Sequence, residues 1–318
     1  MIWLPPEWKR QKSLQVVFPS KQSDWNYCLE EIRQTYVTLV SKTSFFQHSL
    51  IICDDIKEAK SYFKNINNID FIELKTDDTW IRDFGVIQVF DDENLINLDF
   101  TFNGWGNKYE ALHDNSLNQK LFKNSLKKID FILEGGSIDT NGDGVLLTTS
   151  KCLLNKNRNT NLTKDEIETK LKTYLGIKKI LWLDGGFLAG DDTDFHIDMV
   201  ARFMDKKTIG YLSCKDRSDI HYQEFKKIEN QLQNFEFDLL PIPMSDAIYY
   251  KNKRLASSYV NFTFINDAIL LPIYNTKQDK EVIKLFEDFY PNRQIIPIDS
   301  TILIRENGSI HCATKNIF

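Results

Sequence analysis

The sequence predicts an α/β protein made of several small strand–strand–helix units set radially around one axis, with the helices outside. Three observations lead there. Short apolar runs bounded by turn residues alternate with Glu-, Lys- and Leu-rich helical stretches along all 318 residues. The helical stretches recur every 50–60 residues, starting near 54, 113, 162, 218 and 276. Most intervals between them hold two or three strand candidates, where a doubly wound sheet would hold one.

In chain order, "DWNYCLEEIRQTYVTLVSK" (24–42) reads as a helix ahead of the series, and "DDIKEAKSYFKNI" (54–66) opens it. "GVIQVF" (85–90) and "LINLDF" (95–100) read as strands, being short, apolar and flanked by turn residues. A helix "HDNSLNQKLFKNSL" (113–126) precedes the strands "IDFILEGG" (129–136) and "GVLLTT" (144–149). The helix "LTKDEIETKLKTYLG" (162–176) has readable ends: Thr163 with Glu166 makes a capping box, and Gly176 suits a C-terminal stop. Strands "KKILWLDGG" (178–186) and "TIGYLSC" (208–214), helix "SDIHYQEFKKIENQLQNF" (218–235), strand "AILLPIY" (268–274), helix "TKQDKEVIKLFEDFY" (276–290) and strand "QIIPID" (294–299) follow. The units share pattern rather than letters. No low-complexity linker divides them, so residues 1–318 read as a single domain.

Composition narrows the partners. A net charge of −5 and a pI near 5.7 argue against nucleic acid, whose phosphates need a basic surface. No run approaches the roughly 18 apolar residues of a membrane span, and "MIWLPPEWKRQKSLQVVFPS" lacks the apolar core of a secretory signal. Five Cys without Cys-x-x-Cys spacing should be reduced thiols, which places the protein in the cytoplasm. Cys28 and Cys53 fall in helix and strand patterns and read as core. Neither Cys152 nor Cys214 has a His or an acid pair near it in sequence.

Four segments concentrate reactive groups: "DDTWIRDFG" (77–85), "LEGGSIDTNGDG" (133–144), "WLDGGFLAGDDTDFHIDMVARF" (182–203) and "GSIHCATKN" (308–316). Each lies at a strand end or in the turn after it, about one per unit, so a radial arrangement would gather them at one end of the axis. In "GDDTDFHIDM" the pair His196-x-Asp198 could ligate a metal, Asp191, Asp192 and Asp194 could cap a turn, or the segment could supply a metal-free acid/base site. No second His-rich segment completes a zinc shell. "DTNGDG" (139–144) opens like a calcium loop, but its twelfth position is Ser150 where Glu is needed, so a hairpin turn fits better. Trp80, Arg82 and Asp83 could be a core aromatic beside an ion pair, and Glu134 a strand-end acid.

Together these segments offer one thiol (Cys312), one His two residues from an Asp, further acids, and few cations: Arg82, Arg202 and Lys315. That lining suits a small, flat, positive substrate. A guanidinium presents planar N–H donors that paired carboxylates accept, and its electron-poor carbon is open to a thiolate. Acids raise a thiol's pKa, and a bound cation opposes them. Attack by sulfur, loss of an amine protonated by a His, and hydrolysis of the resulting thiouronium would complete a deimination.

"DDTWIRDFG", "LEGGS", "FNGWGNKY" (102–109), "DGGFLAGDDTDFHIDMVARF" and "IHCATKN", in this order, resemble the signature segments of the agmatine deiminase family, also called bacterial peptidylarginine-deiminase-like. "PPEWKRQKSLQVVFP" resembles its usual start. The resemblance covers nearly the whole chain and implies the five-bladed β/α-propeller (pentein fold) of guanidine-modifying enzymes, with pseudo-fivefold strand–strand–helix–strand units. It implies that Cys312 is the nucleophile and His196 the general acid/base. Asp83 and Asp198 would grip the guanidinium, Glu134 would assist at the His and the leaving nitrogens, and Trp80 would wall the slot. Asp192 stands where the family often carries a Glu for the distal ammonium of agmatine, and "ENGSIHC" replaces the family's "GGGNIHC". His311 should orient the nucleophile loop rather than act as base.

The implied reaction converts agmatine and water to N-carbamoylputrescine and ammonia, with no cofactor and no metal, in a possible homodimer. An arginine or a peptidyl C-terminal arginine is the alternative substrate; its carboxylate would need a cation, for which Arg202 and Arg254 are the candidates. A metal-dependent amidinohydrolase built on "DDTDFHID" and a non-catalytic binding protein on the same ring are more remote.

Overall fold

The computed structural model describes residues 1–318, except for the side chain of Asn124. Its strands form five sheets of three or four strands and one two-stranded ribbon, Tyr249–Tyr250 with Lys253–Arg254. The five sheets repeat one connectivity. A short strand pairs antiparallel with a longer one, and the longer one pairs parallel with a strand reached through a helical crossover. Parallel neighbours need such a crossover, which is why a helix follows each longer strand.

The units are Thr314–Ile317, Ser13–Val17, His48–Cys53 and Ile69–Glu73; Ile2–Trp3, Ile87–Asp91, Asn94–Thr101 and Leu126–Ile132; Ile138–Thr140, Val145–Thr149 and Lys179–Leu183; Ala201–Phe203, Thr208–Ser213 and Asp238–Pro243; and Thr263–Ile265, Ala268–Ile273 and Gln294–Asp299. The crossover helices include Leu29–Thr43, Lys164–Leu175, Tyr222–Leu232 and Gln278–Phe289. In Lys164–Leu175 the buried positions are Ile167, Leu171 and Leu175, one face at four-residue spacing. Burying each contributes about 2 kcal/mol. Its capping box is formed, and Gly176 takes the left-handed conformation at its end.

Several elements differ from the sequence reading. Ser13–Val17, Ile69–Glu73 and Asp238–Pro243 are strands that the periodicity did not single out, while Cys53 lies in the strand His48–Cys53 as its pattern suggested. Ser13–Val17 is buried on both faces and so shows no alternation. The stretch 54–66 shortens to the helix Ile56–Tyr62, because Asp55 accepts from the Lys57 and Glu58 amides and starts the helix late. The stretch 113–126 holds only the helix Leu117–Phe122 between short 3-10 turns, and its end already belongs to the strand Leu126–Ile132. "DTNGDG" is a hairpin turn between Ile138–Thr140 and Val145–Thr149, with Asn141 Oδ1 accepting from the Asp143 and Val145 amides.

Candidate active site

One residue of each unit arrives at the same place, two to four positions before the short antiparallel strand: Asp83, Glu134, Asp198, Asn261 and Cys312. Asp83, Glu134, Asp198 and Cys312 are brought together with His196, and all are buried. Asn261 was not anticipated. Its place in the repeat was the available signal, since "SYVNFTF" sets it two residues before the strand Thr263–Ile265.

Cys312 Sγ lies 3.7 Å from Asp198 Oδ2, and it receives the Asn261 side-chain N–H at 3.2 Å. Burial pushes the Cys312 thiol well up, and Asp198 and Asp83 add to this. His311 does not face the sulfur. Its Nδ1 meets Asp198 Oδ2 at 2.7 Å and its Nε2 meets Glu7 Oε2 at 2.7 Å. Burial alone would raise the Asp198 carboxyl, but His311 outweighs it and holds Asp198 low, so a carboxylate stands beside the thiol. Glu7, from "PPEW", also pairs with Arg202 at 3.0 Å.

His196 stands between two acids, with Nδ1 3.6 Å from Asp83 Oδ1 and Nε2 3.6 Å from Glu134 Oε2. Neither nitrogen has a protein hydrogen-bond partner, and Asp198 Oδ1 also lacks one. Buried polar atoms left without partners mark groups that a ligand engages. Burial would lower the His196 pKa, but Asp83, Cys152 and Glu134 raise it well above the usual value, so the ring carries a proton to give. Asp83 is held by the Gly136 amide at 2.8 Å and the Trp105 indole at 2.9 Å.

Gly136 passes close to three of these groups. A Cβ on it would lie 2.7 Å from His196 Nδ1, 2.8 Å from Asp83 Oδ1 and 2.9 Å from Asp198 Oδ2. A side chain there would strike all three groups, so only glycine lets the backbone pass behind this point. Nδ1 faces this point and Nε2 faces Glu134.

Glu134 is fully buried, and its side chain meets His196, Arg158 and Cys152. Arg158 donates through Nε to both Glu134 oxygens at 2.9 and 2.8 Å, and through its other nitrogens to Asp194 Oδ2 and the Thr193 carbonyl. Cys152, unremarkable in sequence, sits 3.7 Å from Glu134 Oε2. The ligand atoms of Glu134, Cys152 and His196 lie within 4.8 Å of one another, the one set among the described residues that could hold a metal ion. The Arg158 guanidinium on Glu134 opposes a cation there. Asp191 and Asp194 serve the turn: Asp191 accepts from the Thr193 hydroxyl and the Phe195 amide, and Asp194 pairs with Lys108 and Arg158.

A cavity opens above Cys312, lined also by His196, Asp83 and Asp198. Trp80 walls it, backed by Trp25 at a ring separation of 5.7 Å, and Gly308 of the nucleophile loop packs directly on the Trp80 ring. Its far end is acidic, lined by Asp24, Asp78, Asp192 and Glu306. Asp192 Oδ2 accepts from Tyr109 at 2.8 Å and from Asn307 at 3.1 Å. Burial pushes the Asp78 carboxyl up to about 7, and Asp24, Asp192 and Glu306 add to it. No Lys or Arg lines this cavity. Arg202 is buried against Glu7 and Asp139, and Arg254 pairs with Asp219, so neither candidate for a substrate carboxylate lies in it.

The family profile of the Porphyromonas-type peptidyl-arginine deiminases matches residues 3–317. The chain belongs to this family. A solved cysteine-to-serine variant of the C. jejuni agmatine deiminase, with substrate bound, is 48% identical, superposes with a TM-score of 0.98, and covers 100% of this chain and 96% of its own. A Legionella pneumophila protein provisionally named agmatine deiminase is 30% identical over 99% of this chain and 94% of its own length. An amidinotransferase from Streptomyces griseus, 9% identical with a TM-score of 0.52, shares the fold alone. Among the described residues no helix is long and apolar enough to cross a membrane.

Proposed function

We propose that this protein is an agmatine deiminase that hydrolyses agmatine to N-carbamoylputrescine and ammonia through a covalent intermediate on Cys312. The observation that carries the reading is the lining of one cavity: a thiol, an imidazole and two carboxylates at its base, and four acids with no cation at its far end. The base fits a guanidinium and the far end fits an ammonium. A substrate carrying a carboxylate would meet like charge there, which costs several kcal/mol.

In this reading Asp83 and Asp198 hold the guanidinium, and its charge offsets theirs on the sulfur, so the Cys312 thiol releases its proton to solvent and the thiolate forms as substrate binds. Sulfur attacks the central carbon and a tetrahedral adduct forms. His196 gives its Nδ1 proton to one amino nitrogen, the C–N bond breaks, ammonia leaves, and a thiouronium remains. The neutral imidazole then takes a proton from water. The hydroxide adds to the same carbon, the C–S bond breaks as the new O–H gives its proton to solvent, and the ureido product leaves with the thiolate restored. Glu134, locked by Arg158, keeps the ring turned so that Nδ1 faces the substrate. Trp80 and Trp25 wall the aliphatic chain.

The repeated units fit closure into a five-bladed propeller, with the pairing of Thr314–Ile317 and Ser13–Val17 joining the last unit to the first. Free thiols throughout fit a cytoplasmic enzyme. Steady-state turnover of agmatine and of arginine tests the substrate. We expect kcat/KM for agmatine to exceed that for arginine by about 10³-fold. Equal or better use of arginine would overturn the reading.

A further inference from the structure

We propose that Asn261 is a catalytic residue of this reaction: its side-chain N–H is the donor that steadies the negative sulfur of Cys312. The inference rests on Cys312 as the nucleophile, and adds the one member of the five-unit set that the acids, the thiol and the imidazole leave without a role.

The orientation of the amide follows from its partners. Asn261 Oδ1 faces the main-chain amides of His311 at 3.0 Å and Cys312 at 3.4 Å, which can only donate. Nδ2 faces the Asp198 carbonyl at 3.3 Å, which can only accept. A flipped amide would set donor against donor and acceptor against acceptor, so Nδ2 is the atom 3.2 Å from Cys312 Sγ. The residue is fully buried, and these partners all come from the chain itself.

A sulfur among acids needs such a donor. As a thiol, Sγ–H can point to Asn261 Oδ1 at 3.5 Å or Asp198 Oδ2 at 3.7 Å. Once the proton is lost, both of those oxygens repel the sulfur, and Nδ2–H is the side-chain donor left on it. Among the groups around the thiol, the Asn261 side chain and the Ser309 main chain ease the charge that burial, Asp198 and Asp83 oppose. A donor fixed in advance by three main-chain contacts pays no reorganisation when charge develops. The same contacts hold the nucleophile loop by its His311 and Cys312 amides, so the loop and its donor are positioned as one piece.

The test is alkylation of Cys312 by iodoacetamide, a neutral probe that needs neither agmatine nor turnover, followed by peptide mass analysis at fixed pH. Asn261→Ala should slow alkylation about tenfold, and Asn261→Asp, which puts a carboxylate at the sulfur, about 100-fold. Agmatine kcat/KM should fall in the same order. Either variant alkylating at the rate of the unaltered protein overturns the proposal. Should both variants fail to fold, the unaltered protein decides: the Asn261 side-chain amide resonance should move when Cys312 is carboxamidomethylated, and an unmoved signal refutes the contact. A protein that alkylates as predicted but ignores agmatine would refute the substrate and leave this role standing.

Discussion

Cys312 has a thiol whose environment favours the proton until a cation arrives. A cationic chloroacetamidine should therefore inactivate the protein about 100-fold faster than neutral chloroacetamide, because only the first is gripped by Asp83 and Asp198; equal rates would remove the cation's part in activation. Asp78 gives a second prediction. Its carboxyl, raised to about 7, is neutral below that pH and charged above it. An ammonium tail binds the charged form, so agmatine affinity should rise with pH. Measured on Cys312→Ser, which binds without turnover, the Kd should tighten about tenfold from about pH 6 to about pH 8, and Asp78→Asn should flatten the dependence. At this scale the sequence was informative where chemistry is concentrated in short segments: Cys312, His196, Asp83, Asp198, Glu134, Trp80 and Asp192 are all named by their motifs. Asn261, Arg158, Cys152, Asp24, Asp78 and Glu306 were not, because each is an ordinary polar residue until folding sets it against a reacting group.

At the level of elements, glycine marks the places where backbone approaches chemistry. Gly136→Ala would put a methyl at the point shared by His196 Nδ1, Asp83 Oδ1 and Asp198 Oδ2. We expect turnover to drop by about 100-fold or more and the overpacking to cost about 1–3 kcal/mol of stability, as read by steady-state kinetics beside a melting curve. Gly176 is the structural counterpart. Its φ of 68° and the Ile2 carbonyl crowding its Cα mean that Gly176→Ala should cost about 2 kcal/mol or more, measured by denaturant unfolding, with kcat unchanged. The capped helix Lys164–Leu175 was readable to within a few residues because capping box, periodicity and C-terminal glycine agree. The strand Ser13–Val17 was not, since a strand buried on both faces lacks alternation and its pairing is set by partners distant in sequence.

Across the molecule, the repeat rhythm predicted strand–strand–helix units, and the common connectivity of the five sheets explains why four spaced motifs meet. What the rhythm could not convey is how the units are stitched behind the site. Asn316 does this: it accepts from Arg82 at 2.7 Å and donates to Gln11 Oε1 at 2.9 Å and the Phe264 carbonyl at 2.8 Å, joining four distant stretches of chain. Asn316→Ala would leave Arg82 Nη2 unpaired, while Gln11 Oε1 keeps Gln47 and the Phe264 carbonyl keeps Gln11, and should cost about 2 kcal/mol by denaturant unfolding. The account as a whole turns on a carbon–sulfur bond. Protein quenched in acid during agmatine turnover and analysed by peptide mass should carry, on Cys312, one agmatine less one ammonia. An unmodified Cys312, or the same adduct on Cys152, would contradict it.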